Sequence, residues 1–255
     1  MKIKIINPNT NQAMTEAIGR AGRSVARAGT EIVAVSPAFG PSSIESFYDE
    51  LMSAPGTIDE VALGDSQGCD AYVIACYGDP GLHGAREVTT RPVIGIGEAS
   101  LYTASTLAAR FSIVTVIPRI KTMLEEMVAG YGFAHKVVRV RTTPLSVLDI
   151  EQDLNRALET LRAEARRAVA EDDAEAILLG CAGFAEFADV LEAELGVPVL
   201  DGVVCAVKWA EALVELGVHT SKHKTYRLPE AKEYTGIFER FGSPPSATRK
   251  TDAAE

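Results

Sequence analysis

Eight short runs of apolar, largely β-branched residues recur along the chain, and helix-length segments separate most of them. They are KIKII (2–6), EIVAV (31–35), AYVIA (71–75) and PVIGI (92–96), then SIVTV (112–116), KVVRV (136–140), AILLG (176–180) and VPVLD (197–201). Near-continuous apolar strands leave no face for water, and strands joined through helices run parallel. The expected fold is therefore α/β, with mainly parallel sheets covered on both faces. Intervening segments such as NQAMTEAIGRAGRSVA and IEQDLNRALETLRAEARRAVAEDD are alanine-rich and read as helical. In FSIVTVIPRIKTMLEEM, Pro118 and the β-branched run divide a strand from a helix.

Two of the runs end alike. YVIACYGDPG (72–81) and AILLGCAGFA (176–185) both pass from a buried strand into a cysteine and a glycine-containing turn. From Cys76 sixteen residues lead to PVIGI, and from Cys181 seventeen lead to PVLDG. KIKIINPNT and FSIVTVIPR each give a strand, a proline-bearing loop and a helix start. Any two βα units share some of this, but the matched cysteine offset favours one unit used twice. The chain then forms two pseudo-symmetric lobes, each a four-stranded, mainly parallel sheet flanked by helices: 1–103 with 209–242, and 104–208. The tail 243–255, rich in proline and small polar residues, is expected to be disordered. Sites in parallel sheets form outside the carboxyl ends of the strands. Cys76 and Cys181, one per lobe, are thus expected to meet in the cleft between the lobes.

Composition narrows the function classes. The 255 residues carry a formal charge of −10, which does not suit a phosphate backbone, so no nucleic-acid partner is expected. No window approaches the ~20 apolar residues of a membrane span, and no segment reads as a secretory signal. The expectation is a cytoplasmic protein with reduced thiols and no membrane partner. The four cysteines, Cys69, Cys76, Cys181 and Cys205, show no CxxC or CxxH spacing, so no metal site is expected.

Together, INPNT (6–10), GPSSIES (40–46), ACYGDPGL (75–82), RFSIVTVIPR (110–119), LGCAGFA (179–185), VPVLDGVVCAVK (197–208) and TSKHK (220–224) resemble the aspartate/glutamate/hydantoin racemase superfamily. The likeness runs to about Phe241 and is strongest to its hydantoin and allantoin racemases. It implies a cofactor-independent racemase with two opposed cysteines, a small-molecule substrate and a homo-oligomer. Amino-acid racemases of the superfamily tend to carry Cys-Asn-Thr; here Tyr77 and Ala182 follow the cysteines, which points to ring substrates. The resemblance carries Asn9, Ser43, Ile44 and Thr115 over as substrate contacts. Tyr77, Gly78, Asp79, Ala182 and Gly183, beside the two cysteines, join them. Asn9 is equally suited to capping the first helix.

The chemistry fits these residues. Racemisation removes a proton from one face of a carbon and returns one to the other, which two fixed acid/base groups do without moving. A free thiol ionises near 8.5. Amides of the following turns would depress that value towards neutrality and hold an enolate oxygen. Cys69 and Cys205, without a matched motif, read as structural. Asp79 reads as the N-cap of the helix that follows it, while His83, Lys222 and His223 read as lying outside the chemistry. Three functions remain open: a racemase of 5-monosubstituted hydantoins, an allantoin racemase of the same mechanism, and a non-catalytic two-lobed binding protein that needs neither thiol.

Overall fold

The computed structural model describes residues 1–242; the tail 243–255, expected to be disordered, lies outside the described residues. The first half runs β1 (Lys2–Ile6), α1 (Gln12–Val25), β2 (Glu31–Val35), α2 (Phe47–Ser66), β3 (Ala71–Ile74), α3 (Leu82–Val88), β4 (Val93–Gly95) and α4 (Ile96–Leu107). The second half runs β5 (Phe111–Thr115), a 3-10 turn (Pro118–Ile120), α5 (Lys121–Gly130), β6 (Val137–Thr142), α6 (Val147–Gln152) and α7 (Leu154–Asp172). It continues with β7 (Ile177–Leu179), a 3-10 segment (Ala182–Phe187), α8 (Ala188–Leu195), β8 (Val199–Asp201) and α9 (Gly202–Glu215). Each apolar run of the sequence forms one of these strands.

The strands form two four-stranded sheets of the same order, β2-β1-β3-β4 and β6-β5-β7-β8, and every pairing is parallel. The repeat read from the cysteine spacing is thus a repeat of topology. In both halves the strand before the cysteine, β3 or β7, is a central strand buried along its whole length. Both cysteines follow these strands by two residues.

The segment read as one helix over 150–173 is broken. Asp153 takes an extended backbone (φ −149°, ψ 89°), and its carboxylate accepts from Arg156 N at 3.0 Å to start α7 afresh. The shorter α6 has its own capping box between Ser146 and Asp149.

The last helix of each half crosses to the other. α4 packs on β7 and β8, and α9 packs on β3 and β4 as well as on α4. One hydrophobic core therefore joins Ile3, Ile5 and Val73 of the first sheet to Ile113, Val114 and Leu178 of the second. The lobe boundaries expected at 103/104 and 208/209 fall within α4 and α9.

Candidate active site

A cavity of about 40 Å³ lies at the carboxyl ends of the central strands, where the two halves meet. The first half contributes Asn9 from the loop after β1, Met14 from α1, Ile44, and the run Ala75 to Gly78. The second contributes Val116, Ile120, Met123, Leu124 and Val147, with Gly180, Cys181 and Ala182. A larger groove of about 470 Å³ lies between α2 and the C-terminal segment, and neither Cys76 nor Cys181 is part of its lining. Two thiols from equivalent strand ends make the smaller cavity the candidate site.

Cys76 and Cys181 face this cavity with matching surroundings. The N–H of Gly78 donates to the Cys76 sulfur, and the N–H of Gly183 donates to the Cys181 sulfur. Those amides were expected to bring the thiols near neutrality, and they do favour the thiolate. Burial outweighs them: each thiol is pushed up to about 12. A single amide does not replace the water lost around a thiolate, and a rise of that size is worth roughly 4 kcal/mol to the protonated form. Cys181, Asp79 and Glu50 add to the rise at Cys76; Glu45, Asp201 and Glu151 add to it at Cys181.

Asn9, Ile44, Tyr77, Gly78 and Ala182 line the cavity as expected from the sequence, whereas Ser43, Asp79, Thr115 and Gly183 stand outside its lining. The Tyr77 ring borders the cavity, and its hydroxyl accepts from Ser100 Oγ at 2.9 Å inside the core. Thr115 ends β5 and donates to the Gly180 carbonyl at 2.7 Å, bracing the strand end from behind.

Asp79 is a cap, but of a different helix from the one expected. With a left-handed backbone (φ 52°) it turns its carboxylate back to accept from Gly97 N at 2.9 Å and Glu98 N at 2.8 Å, the first amides of α4. Tyr131 donates a third bond at 2.8 Å. The helix directly after it, α3, begins at Gly81 with no side-chain cap. Burial pushes Asp79 up to about 7 against these donors. The arrangement depends on two glycines. A Cβ on Gly95 would lie 2.1 Å from the Asp79 carboxyl carbon, and one on Gly97 would lie 2.3 Å from the Tyr77 carbonyl oxygen.

The sequence reading missed the apolar wall. Met14, Met123 and Leu124 lie on the first turns of α1 and α5, the helices that follow the equivalent strands β1 and β5. That equivalence was the available signal. It also missed a link across the halves: the Glu45 carboxylate accepts from Val147 N at 2.6 Å, joining the segments that carry two of the cavity walls, Ile44 and Val147.

The remaining candidates lie elsewhere. Cys69 and Cys205 are buried away from the cavity, Cys205 bonded to Thr103. His83 Nδ1 pairs with the Tyr226 hydroxyl at 2.8 Å. Lys222 Nζ donates to the carbonyls of Arg86, Glu87 and Tyr226, tying the C-terminal segment to the end of α3, and His223 is exposed. Among the described residues no group of three or more His, Cys, Asp or Glu side chains is placed to hold a metal ion, and no helix is long and apolar enough to cross a membrane.

Residues 3–210 match the Asp/Glu/hydantoin racemase family. A hydantoin racemase of Pseudomonas sp. (strain NS671) is 62% identical over 249 residues, 98% of this chain and 100% of that protein. A hydantoin racemase of Rhizobium meliloti is 47% identical over 236 residues, 92% of this chain and 98% of that protein. The solved allantoin racemase from Klebsiella pneumoniae is 46% identical, with a TM-score of 0.92 over 94% of this chain and 98% of that one. The chain belongs to the Asp/Glu/hydantoin racemase family and is an isomerase of the racemase type.

Proposed function

We propose that this racemase interconverts the D and L forms of 5-monosubstituted hydantoins without a cofactor, Cys76 and Cys181 serving opposite faces of ring carbon C5. One observation carries the reading: two cysteines from equivalent strand ends of two like sheets converge on one cavity, each with a glycine amide on its sulfur. One sulfur, as thiolate, takes the C5 proton; the electron pair passes into the adjacent C4 carbonyl; the other sulfur, as thiol, protonates the opposite face. The family resemblance assigns abstraction from the D form to Cys76 and from the L form to Cys181.

The walls bear on the substrate. Met14, Ile44, Val116, Met123, Leu124 and Val147 offer carbon and thioether surface, which suits an alkyl or aryl group at C5. The ureido group of allantoin would lose its hydrogen bonds with water against such walls. The likeness to an allantoin racemase supports that compound as the second reading. The cavity is far smaller than the roughly 300 Å³ at which pockets for drug-sized ligands begin, so substrate entry must part the walls. The proposal further takes the enzyme as cytoplasmic and homo-oligomeric. Phe47, Tyr48, Leu51 and Met52 form an exposed apolar row on α2 that a second copy would cover.

Optical rotation of L-5-benzylhydantoin, D-5-benzylhydantoin and (S)-allantoin with the purified protein tests the reading. Both benzylhydantoins are expected to decay to zero rotation faster than allantoin, and replacement of either cysteine by serine is expected to stop the decay. Faster loss of rotation with allantoin would favour the second reading, and full activity without either thiol would end both.

A further inference from the structure

Asn9 shares the cavity lining with both cysteines, and only 4% of it is exposed. Its side chain is oriented from behind. Oδ1 accepts from the main-chain N–H of Asn11 at 2.9 Å and from Asn7 Nδ2 at 2.8 Å. A main-chain N–H can only donate, so the atom facing Asn11 is the oxygen, and the amide nitrogen takes the other direction. Asn7 is itself held by Thr15 Oγ1 at 3.0 Å and by the Asn11 carbonyl at 3.3 Å. The Asn9 nitrogen, with two hydrogens to place, bonds only to the thioether sulfur of Met14, at 3.3 Å. Sulfur is a weak acceptor, and Met14 also lines the cavity. Asn9 is therefore a buried amide kept short of acceptors beside the reacting groups.

Two glycine amides near the cavity are directed elsewhere. The amides of Gly78 and Gly183, expected to hold an enolate oxygen, are directed at the two sulfurs. The Tyr77 hydroxyl is tied to Ser100 in the core.

We infer that Asn9 is a catalytic residue whose Nδ2 donates to the C4 carbonyl oxygen of the ring and stabilises the negative charge that gathers there. The inference rests on the hydantoin reading above. In the step, a thiolate takes the C5 proton, the C–H electron pair becomes the C4–C5 double bond, and the carbonyl π pair moves onto oxygen. The Asn9 hydrogen bond to that oxygen strengthens as its charge grows. The opposite thiol then gives its proton to C5, the electrons return to the carbonyl, and the second sulfur is left as the thiolate. Asn9 exchanges a weak bond to sulfur for a charge-assisted one. The enolate is common to both directions, and its oxygen lies in the ring plane that separates the two faces. Asn9 therefore serves D and L substrates equally, which neither thiol does.

Steady-state kinetics of Asn9→Ala with L- and D-5-benzylhydantoin provide the test. The expected result is a fall in kcat of about 10²–10³-fold, typical of one lost oxyanion donor, with KM changed less than about threefold. Cys76→Ser and Cys181→Ser, each left with one thiol, should each exchange the C5 hydrogen of one enantiomer in D₂O; adding Asn9→Ala should slow both exchanges by the same factor. A folded Asn9→Ala protein with wild-type kcat, or with exchange slowed for one enantiomer only, overturns the inference. A wild-type protein inactive on every hydantoin overturns the substrate reading instead. Should Asn9→Ala fail to fold, infrared spectra of substrate labelled with ¹³C at C4 and bound to Cys76→Ser/Cys181→Ser protein decide the matter. The labelled carbonyl stretch should fall below its value in water, and an unlowered stretch overturns the inference.

Discussion

Cys76 and Cys181 are held protonated by burial, and with these thiols as the proposed acid/base pair the sign of the expected pH response follows. With each thiol pushed up to about 12, the thiolate fraction below that value grows about tenfold per pH unit. kcat/KM for hydantoin is therefore expected to climb steadily from pH 7 to 10, and a plateau beginning below pH 8 would contradict it. The same shift affects stability. An unfolded thiol ionises near 8.5, so the folded state binds these protons more tightly. The resulting stabilisation is full below about 8.5 and is lost as pH rises towards 12, which urea midpoints across that range should show. In the proposed mechanism the two thiols serve opposite faces of C5. In D₂O, Cys76→Ser and Cys181→Ser are expected to exchange the C5 hydrogen of opposite enantiomers, while Cys69→Ser and Cys205→Ser racemise nearly as wild type. Exchange of the same enantiomer by both single-thiol proteins, read by proton NMR, would remove the two-face mechanism.

At the level of elements, the Cys76 turn is shaped by a helix that follows it in sequence. Asp79 reaches from the turn to the first amides of α4, and that helix begins at Gly95 and Gly97 because no larger residue clears the turn. An added methyl on Gly97 meets a main-chain oxygen at 2.3 Å, and neither group has a flexible end to swing away. Gly97→Ala is expected to lower stability by about 1–3 kcal/mol and to cost most of the activity by moving Cys76. A variant with wild-type Tm and kcat would show that the turn and helix are independently placed. The equivalent turn of the second half is built differently. Cys181 opens a 3-10 segment directly, and α9 is capped by Asp201 at its own N-terminus, the carboxylate accepting from Val204 N at 2.8 Å.

For the whole molecule, the crossing of α4 and α9 makes two sheets into one core. The single tryptophan, Trp209 on α9, donates from Nε1 to Thr103 Oγ1 of α4 at 3.1 Å, at that crossing. Its fluorescence and the far-UV circular dichroism are expected to change together in one cooperative urea transition. Separate midpoints would mean that the halves unfold independently. Light scattering at assay concentration is expected to give a multiple of the 27.2 kDa chain mass, and a monomer mass would count against the proposed assembly.

Much of this was legible in the sequence because it is local. β-branched runs bounded by turn residues become strands wherever they lie, and a fully apolar run must be covered on both faces, so the strands, their parallel sense and the repeat followed from the chain itself. The positions of Cys76 and Cys181 at equivalent strand ends followed from the same spacing. Other features depended on residues far apart in the chain. Asp79 caps α4 because tertiary packing brings Gly97 and Glu98 to it. Met14, Met123 and Val147 become cavity walls because two sheets face each other, although alone they read as ordinary core. The protonation of the thiols was likewise decided in three dimensions. The glycine amides were visible in the sequence, but the extent to which water is excluded depends on every surrounding element, and that exclusion sets the larger energy.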